Sequence, residues 1–439
     1  MNPENEKVSI SKIDYKLNRF LYFISLLICV FYITYTIQVF RNENSILISA
    51  LLFIFWIFFS FLSNPITLIK FLERKKYLFL ILFYFYYFIG GLISGLSVLD
   101  SIKLILGYFI LLSPMIIFDF YTSNKKFKSI AILCFVGLGM YVFLSIKTLI
   151  TLHINPMAAR NLASGSLHNA SLGSLAEIGI GGGYDLTYAL CILLPFIIIV
   201  LKNESFNKIV FFSAICFIIL SIYTIIKSDY GMAFLFTIIG VFFSLFIFSG
   251  KTKRDLLILI ISIVVCGILL VLLINPIADL LIYISMFFEN SFIGQRLNEL
   301  GLGFKGYGFG SSTEYRFDLY LSSFMTFLEN LFVGVGFLAQ YNYYNNLQYI
   351  GGHSEWLDFL GVFGLIGSIP LFFVLFINYR ETIKKYKNIN YQSAIIIVYL
   401  LFIVIGSINL IFKFGVLLAL MLIIPGFPIL IKILNKKLE

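Results

Sequence analysis

The chain of 439 residues is 60% hydrophobic and 18% aromatic, and only 12% of its residues are charged. A soluble globular protein carries about 25% charged residues, so this composition excludes a cytosolic enzyme, a secreted domain and a disordered protein. The net charge of +10 does not indicate a nucleic-acid-binding protein, because no basic stripe on a soluble segment accompanies it.

Long apolar runs follow one another along the whole chain, each of a length that suits a membrane-spanning helix. We therefore predict an all-α fold, a polytopic membrane protein with about 12 transmembrane helices in a single integral membrane domain, residues 1–439. The predicted spans are 18–40, 45–63, 77–96, 103–120, 129–152, 184–201, 207–226, 229–248, 255–283, 356–378, 393–411 and 414–434.

The distribution of Lys and Arg predicts the orientation of these spans. If the N-terminus is cytoplasmic, 23 of the 32 Lys and Arg residues fall in cytoplasmic segments, as the positive-inside rule requires. Both termini are then cytoplasmic. Positive charges outside these segments are tolerated most easily where they bind an anion. There are nine: Arg41, Lys103, Lys147, Arg160, Lys227, Arg296, Lys305, Arg316 and Lys413.

The first of two long outer loops spans about 153–183 and is rich in glycine. It carries Arg160 and ends at Tyr184, at the mouth of the next span. Glycines allow a backbone to approach a ligand closely and expose N–H groups to an anion. The alternative is a flexible connector in which Arg160 is a lone surface charge.

The second outer loop spans about 284–355, and its residues 314–331 predict an amphipathic helix. An apolar face is formed by Phe317, Tyr320, Leu321, Phe324, Leu328 and Leu331. Ser312 and Thr313 are candidates for its N-cap. Such a helix lies along the membrane surface or packs as a lid on neighbouring spans. In both cases Arg316, next to Glu314 and Tyr315, can point into an outer cavity. Gly334 and Gly336 are expected to end the helix.

His353 lies in the sequence Gly-Gly-His-Ser-Glu, immediately before the tenth predicted span. A neutral imidazole can act as a base near physiological pH, and Glu355 is close enough in sequence to orient it. The alternative is a plain loop residue.

Three further charged residues lie at the ends of predicted spans. Lys227 and Asp229 mark a short outer turn, and Lys413 separates two apolar runs. Charges at such positions are candidates for function. The alternatives are lysines that snorkel to the interface and an aspartate that serves as a turn residue or helix N-cap.

Three stretches make the chain resemble the O-antigen polymerase and O-antigen ligase superfamily of bacterial surface-polysaccharide enzymes. The strongest is 316–367, with an Arg at the start of a loop helix, then Glu-Asn, Gly-Val-Gly and His-Ser motifs, and three glycines entering a span. The others are GGGYDLTYALCILLP at 181–195 and KSDYGMAFL at 227–235.

The resemblance implies a glycosyltransferase whose donor is a polyprenyl-diphosphate-linked glycan, with no metal or other cofactor. It implies that Arg316 holds the diphosphate, stabilises the departing lipid diphosphate and is helped by Arg160 or Arg296. It also implies that His353 takes the proton from the acceptor hydroxyl, with inversion at the anomeric carbon. The expected substrate-binding residues are Arg160, Arg296, Glu314, Tyr315, Glu355, Tyr184, Lys227, Asp229 and Lys413.

The activity that the resemblance implies is polymerisation of oligosaccharide repeat units at the outer face of the bacterial cytoplasmic membrane, for capsule or lipopolysaccharide. Undecaprenyl diphosphate is the expected lipid. The bilayer, a chain-length regulator and a flippase are the expected partners, and nucleic acid is not. Two alternatives stay open: a ligase that transfers finished glycan, and a lipid-linked oligosaccharide flippase. A flippase would not need a large outer loop that ends in Gly-Gly-His-Ser-Glu.

Overall fold

A computed structural model describes most of the chain, and all regular structure in the described residues is helical, which confirms the all-α prediction. The described residues are 3–39, 43–93, 95–155, 158, 183–203, 206–246, 272–288, 292–307, 311–336, 350–386 and 389–435.

The helices follow the predicted apolar runs closely. The first six are α1 (Pro3–Val39), α2 (Glu43–Ser63), α3 (Pro65–Leu72), α4 (Lys75–Ile93), α5 (Val98–Ser123) and α6 (Phe127–Ile154). The next six are α7 (Tyr184–Asn203), α8 (Lys208–Lys227), α9 (Gly231–Phe246), α10 (Ile274–Met286), α11 (Phe292–Phe304) and α12 (Ser311–Glu329). The last are α13 (Glu355–Lys385), α14 (Ile389–Ile408), α15 (Phe414–Leu418) and α16 (Ile424–Leu434), the final two joined by a π-helical turn, Ala419–Ile423.

Ten helical segments in the described part of the chain are long and apolar enough to cross a membrane. They coincide with ten of the predicted spans, which confirms a polytopic helical membrane protein. The predicted span 229–248 forms the shorter apolar helix α9. Most of the predicted span 255–283 lies outside the described residues, and α10 covers its end.

The chain divides into two compact units, and the prediction of a single membrane domain stays a prediction. Unit 1 comprises Met1–Met140, Pro370–Asn378 and Met421–Glu439. Its core is an aromatic cluster in which Phe53 stacks on Trp56 and Trp56 meets Phe120 edge to face. These rings remove a large apolar area from lipid and water alike, and their offset and edge geometries add to the attraction.

Unit 2 comprises Tyr141–Ile369 and Tyr379–Leu420. Helix α7 is its centre, because its residues are almost all buried and it packs against α8, α9, α14 and α15. Cys191 of α7 donates to the carbonyl oxygen of Ala233 on α9, with 3.2 Å between sulfur and oxygen. This central helix is therefore held on several sides.

Helix α12 is present where an amphipathic helix was predicted, and it begins earlier than the predicted residue 314. It begins at Ser311, so Ser312 and Thr313 lie inside its first turn and are not N-caps. Its apolar residues Phe317, Leu321, Phe324 and Leu328 are exposed. The buried face carries Leu319, Ser323 and Thr326. Small and polar residues are common at helix contacts in membrane proteins, because lipid accepts the apolar face as readily as a protein core does.

Helix α12 ends at Glu329, before the two glycines that were expected to end it. Gly334 and Gly336 follow in left-handed conformations, φ 73° and 63°. From there the chain pairs with the middle of α13 through backbone hydrogen bonds. Val335 donates to Gly361 O (3.0 Å), and Leu365 donates to Leu331 O (2.9 Å). The pairing interrupts α13 at Gly364, where φ is 58° and a Cβ would lie 2.5 Å from the amide nitrogen of Gly334.

Candidate functional site

Unit 2 contains a cavity of about 240 Å³ whose walls come from α7, α9 and the turn before it, α11, α12 and the end of α14. A site of a few hundred cubic ångströms suits a small ligand or one group of a larger ligand. The lining residues are Tyr184, Tyr188, Tyr230, Gly231, Met232, Leu235, Ile293, Arg296, Leu297, Leu300, Arg316, Phe317, Tyr320, Ile408 and Asn409.

Three tyrosines form one wall of the cavity. Tyr184 and Tyr188 are one helical turn apart on α7, so they lie on the same face, and their ring centroids are 5.4 Å apart. The ring of Tyr230, in the turn before α9, stacks on Tyr184 with 4.6 Å between centroids. The wall therefore contains stacked aromatic rings, of which only Tyr184 was among the expected substrate-binding residues.

Arg296 lines the cavity from α11, and the turn that follows α8 supports it. Asp229 has a positive φ of 57°, and its Oδ1 accepts a hydrogen bond of 2.9 Å from Ile293 N, in the first turn of α11. A carboxylate at this position satisfies a free N–H and favours the positive end of the helix dipole. Gly231 lies against the Arg296 side chain, since a Cβ there would be 3.4 Å from Arg296 Cβ. Arg296 also pairs with Glu299, with 2.6 Å between Nη1 and Oε2.

Arg316 lines the same cavity from α12, in the second turn of that helix. No salt-bridge partner for it is found among the described residues. One turn later, Tyr320 donates a 2.8 Å hydrogen bond to Ile408 O, which ties α12 to the end of α14. Burial raises the pKa of Tyr320, and the nearby positive charge of Arg316 opposes that shift. Its hydroxyl therefore stays protonated and keeps the tie.

His353 is half-buried in the loop that precedes α13, and α12 holds this loop in place. Gly351 N donates to Ser323 Oγ (2.8 Å), and Ser323 Oγ donates to Asp358 Oδ1 (2.6 Å). Ser354 caps α13 by accepting from Leu357 N. Burial lowers the pKa of His353, and the positive charge of Arg316 lowers it further. The imidazole is therefore neutral at pH 7 and can accept a proton.

Glu355 is buried, and its carboxylate is directed at the connector after α14. Its Oε2 accepts hydrogen bonds from Ile411 N (2.7 Å) and Phe412 N (2.9 Å). It also interacts electrostatically with Lys413, whose backbone begins α15. These contacts hold the connector, so the suggestion that Glu355 orients His353 gains no support from its hydrogen bonds.

The other expected substrate-binding residues do not line the cavity or cannot be placed. Tyr315 is exposed. Lys227 is exposed at the end of α8, where its ammonium lies 5.8 Å from the ring centroid of Tyr223, a contact that suits the snorkelling alternative. Arg160 and the side chain of Glu314 lie outside the described residues. Their roles stay predictions.

Sequence reasoning missed three polar cavity residues: Tyr188, Tyr230 and Asn409. Two signals were available. Tyr188 lies four positions after Tyr184 and so shares its helix face. Asn409 is a polar residue in an apolar stretch, which in a membrane protein marks a candidate site.

The arrangement combines two guanidinium groups, a neutral imidazole near one of them, and an aromatic wall with hydroxyl groups. Two like charges on one cavity are unfavourable unless an anion joins them. Planar guanidinium groups bind phosphate or carboxylate oxygens in pairs. The cavity is therefore suited to an anionic ligand. His353 interacts electrostatically with Arg316 but is not among the residues that line the cavity.

Comparison with protein families gives one match, to the family described as O-antigen ligase, over residues 215–372. The match is roughly a third of the chain and includes the turn at Asp229, both cavity arginines and His353. A comparison with curated protein sequences finds no significant match. The family match confirms the resemblance seen in the sequence: residues 215–372 are similar to the O-antigen ligase family, within the O-antigen polymerase and ligase superfamily.

Proposed function

We propose that the protein is a polysaccharide polymerase, which joins polyprenyl-diphosphate-linked oligosaccharide repeat units. The observation that carries the proposal is the cavity of unit 2, which Arg316 and Arg296 both line, within the residues of the family match. Of these two arginines, only Arg296 has a carboxylate partner among the described residues. The site can therefore offer positive charge to a diphosphate. The family match supports glycan transfer as the reaction.

In the proposed reaction, Arg316 binds the diphosphate of the donor, and Arg296 and Arg160 assist it. The acceptor sugar hydroxyl attacks the anomeric carbon of the donor, and the bond from this carbon to the diphosphate oxygen breaks with its electron pair. His353 takes the hydroxyl proton, and Arg316 stabilises the negative charge of the departing polyprenyl diphosphate. A single direct displacement inverts the anomeric carbon. The proposed reaction uses no metal.

We place the reaction at the outer face of the bacterial cytoplasmic membrane, with both termini in the cytoplasm. The exposed apolar face of α12, next to a cavity residue on the same helix, supports contact with the bilayer from which a lipid-linked donor arrives. A flippase and a chain-length regulator are the proposed protein partners. Labelling of single cysteines at positions 165 and 305 in intact cells tests the orientation, and protection of both until lysis contradicts it.

A ligase that moves finished glycan to a separate acceptor is the second candidate. It is favoured by the description of the matched family, O-antigen ligase. The two activities share the donor, the leaving group and the proton acceptor. They differ in the acceptor, which is a second lipid-linked repeat unit for a polymerase and another molecule for a ligase.

The deciding experiment incubates the purified protein with one lipid-linked repeat unit, with and without an added lipid-core acceptor. A ladder of products without the acceptor is the result expected for a polymerase. A single product that depends on the acceptor shows a ligase and contradicts polymerisation. Movement of the donor between leaflets without a covalent product favours a flippase. His353→Gln is the inactive reference, and His153→Gln, at an exposed position at the end of α6, is its matched control.

A further inference from the structure

Two residues of the cavity wall bury a polar atom that has no hydrogen-bond partner among the described residues. They are the hydroxyl oxygen of Tyr188 and the side-chain nitrogen of Asn409. Tyr188 is 0% exposed and Asn409 is 6% exposed. Buried polar atoms without partners are rare in folded proteins, and each calls for a specific explanation, such as a ligand or a water.

The surroundings of these two atoms define what could satisfy them. Tyr188 interacts electrostatically with Arg316, so its hydroxyl lies near the proposed diphosphate position. Its ring stacks on Tyr184, which in turn stacks on Tyr230. This part of the cavity wall therefore combines buried hydrogen-bonding groups and stacked aromatic rings with a positive charge.

A sugar residue has this combination of properties. Its hydroxyl groups both donate and accept hydrogen bonds, and the C–H groups on its ring faces pack well on aromatic rings. Tyr hydroxyl and Asn amide groups are also both donors and acceptors. A lipid tail would leave both polar atoms unpaired.

We propose that Tyr188 and Asn409 form a sugar subsite that binds hydroxyl or amide groups of the sugar residue attached to the diphosphate. The inference rests on the proposed function, because a diphosphate held by Arg316 is what places its sugar against Tyr188. The subsite gives the protein a preference for a particular donor sugar, since a group that cannot pair with these atoms leaves them unsatisfied.

The subsite differs from a structural element in a way that can be measured. Neither polar atom makes a described hydrogen bond within the protein. Tyr188→Phe and Asn409→Leu, which keep similar volumes, therefore remove no protein–protein hydrogen bond and should leave the unliganded protein at least as stable. If the groups were structural, the same variants would be less stable.

The test measures binding of two lipids to the purified protein in nanodiscs: bare undecaprenyl diphosphate, and the lipid-linked repeat unit isolated from producing cells. We expect Tyr188→Phe and Asn409→Leu to weaken binding of the glycan-bearing lipid about tenfold each. Binding of the bare lipid should change less than about twofold. Tyr22→Phe, on α1 and outside the cavity lining, is the matched control and should alter neither affinity.

Each other outcome has a definite meaning. If both variants bind the two lipids as the parent protein does, a trapped water satisfies the two atoms and the subsite is wrong. If a variant weakens both lipids equally or lowers the melting temperature, the residue supports the cavity and does not read the sugar. If the parent protein binds neither lipid, the proposed function fails and the subsite fails with it.

Discussion

Each unit holds a group of buried or half-buried charges, and the two groups differ in how completely they are paired. In unit 1, Lys76 has 0% side-chain exposure and pairs with Asp119, which also accepts a 2.7 Å hydrogen bond from the hydroxyl of Tyr77. Arg74 lies 3.7 Å from the same carboxylate and donates to Ser123. In unit 2, two arginines line one cavity, and among the described residues only one of them has a carboxylate partner.

The comparison indicates which charges hold the fold and which await a ligand. The group around Asp119 is complete, so removal of one member leaves a buried charge without its partner. The cavity group is incomplete, so removal of a member should cost little stability and much activity. Stability and glycan transfer can be measured for one variant in each group. The variant near Asp119 should lose mainly stability, and the cavity variant should lose mainly transfer.

The largest expected effect on activity is that of His353→Gln. Glutamine keeps hydrogen bonding but cannot accept the proton at neutral pH, and loss of a general base costs about 10²–10⁴-fold in rate. Glycan transfer by the purified variant, compared with His153→Gln, measures it, and its melting temperature should match that of the parent. Transfer within a few-fold of the parent would leave His353 a positioning residue at most.

Lys76→Met should have the largest effect on stability. It leaves Asp119 buried with a weaker set of partners, and breaking a buried pair costs about 3–5 kcal/mol. Chemical unfolding in detergent measures the loss, and Lys75→Met, at an exposed neighbouring position, is the matched control. The comparison predicts that replacing Lys76 and Asp119 together with apolar residues recovers much of the loss. No recovery in the double variant would show that the group is not a closed pair.

Arg316→Lys should lower transfer more than retention of the charge suggests. Lysine lacks the planar fork that grips two phosphate oxygens, and loss of a transition-state contact of this kind costs about 2.7–4 kcal/mol. The kcat of the purified variant measures the effect. Arg380→Lys, at an exposed position of α13, serves as control. Near-normal turnover by Arg316→Lys would argue against a diphosphate clamp.

The smallest expected effect is a change in the titration of His353. Its pKa should lie below the ordinary value of about 6.5, because burial and the charge of Arg316 both disfavour the protonated form. Arg316→Gln should raise the pKa, and so should binding of a diphosphate beside Arg316. The chain has three histidines, so NMR of labelled histidine can follow each one, with His353→Gln for assignment.

The same shift sets the pH dependence of transfer. The neutral imidazole is the active form, so the rate should stay constant above the lowered pKa and fall as the pH drops through it. If the rate falls at a pH near or above the ordinary pKa of histidine, the lowered pKa of His353 does not control transfer. If Arg316→Gln leaves the pKa of His353 unchanged, the two residues do not interact electrostatically.

The membrane-spanning helices were predictable because long apolar runs have few alternatives in a bilayer. Which face of α12 packs against the protein was not predictable from the sequence. Its period was recognised, but the face with Ser323 and Thr326 is buried and the face with Phe317 is exposed. In a soluble protein the apolar face would be buried. In lipid, the small polar residues make the helix contacts and hold the loop of His353.

Arg316 and His353 were found as candidates from the chemistry of their side chains. It was harder to predict that Arg296 lines the same cavity as Arg316. Arg296 is placed there by α11, a short helix that no apolar run in the sequence indicates. Asp229 was expected to bind substrate, with a turn residue or helix N-cap as the alternative. Its carboxylate accepts a hydrogen bond from the first turn of α11, 64 positions away in sequence. A contact of this kind follows from tertiary packing and has no local pattern.

The backbone pairing between the segment after α12 and the middle of α13 fixes these two segments to each other. It joins Val335 to Gly361 and Leu365 to Leu331 through main-chain groups alone, so side-chain changes along it alter little provided that Gly334 and Gly364 remain. The hydrogen bond from Gly351 N to Ser323 Oγ also holds the loop that precedes α13 against α12. The main chain therefore holds α12, which carries Arg316, and the loop of His353 in place, and most side chains along these contacts can change without releasing either residue.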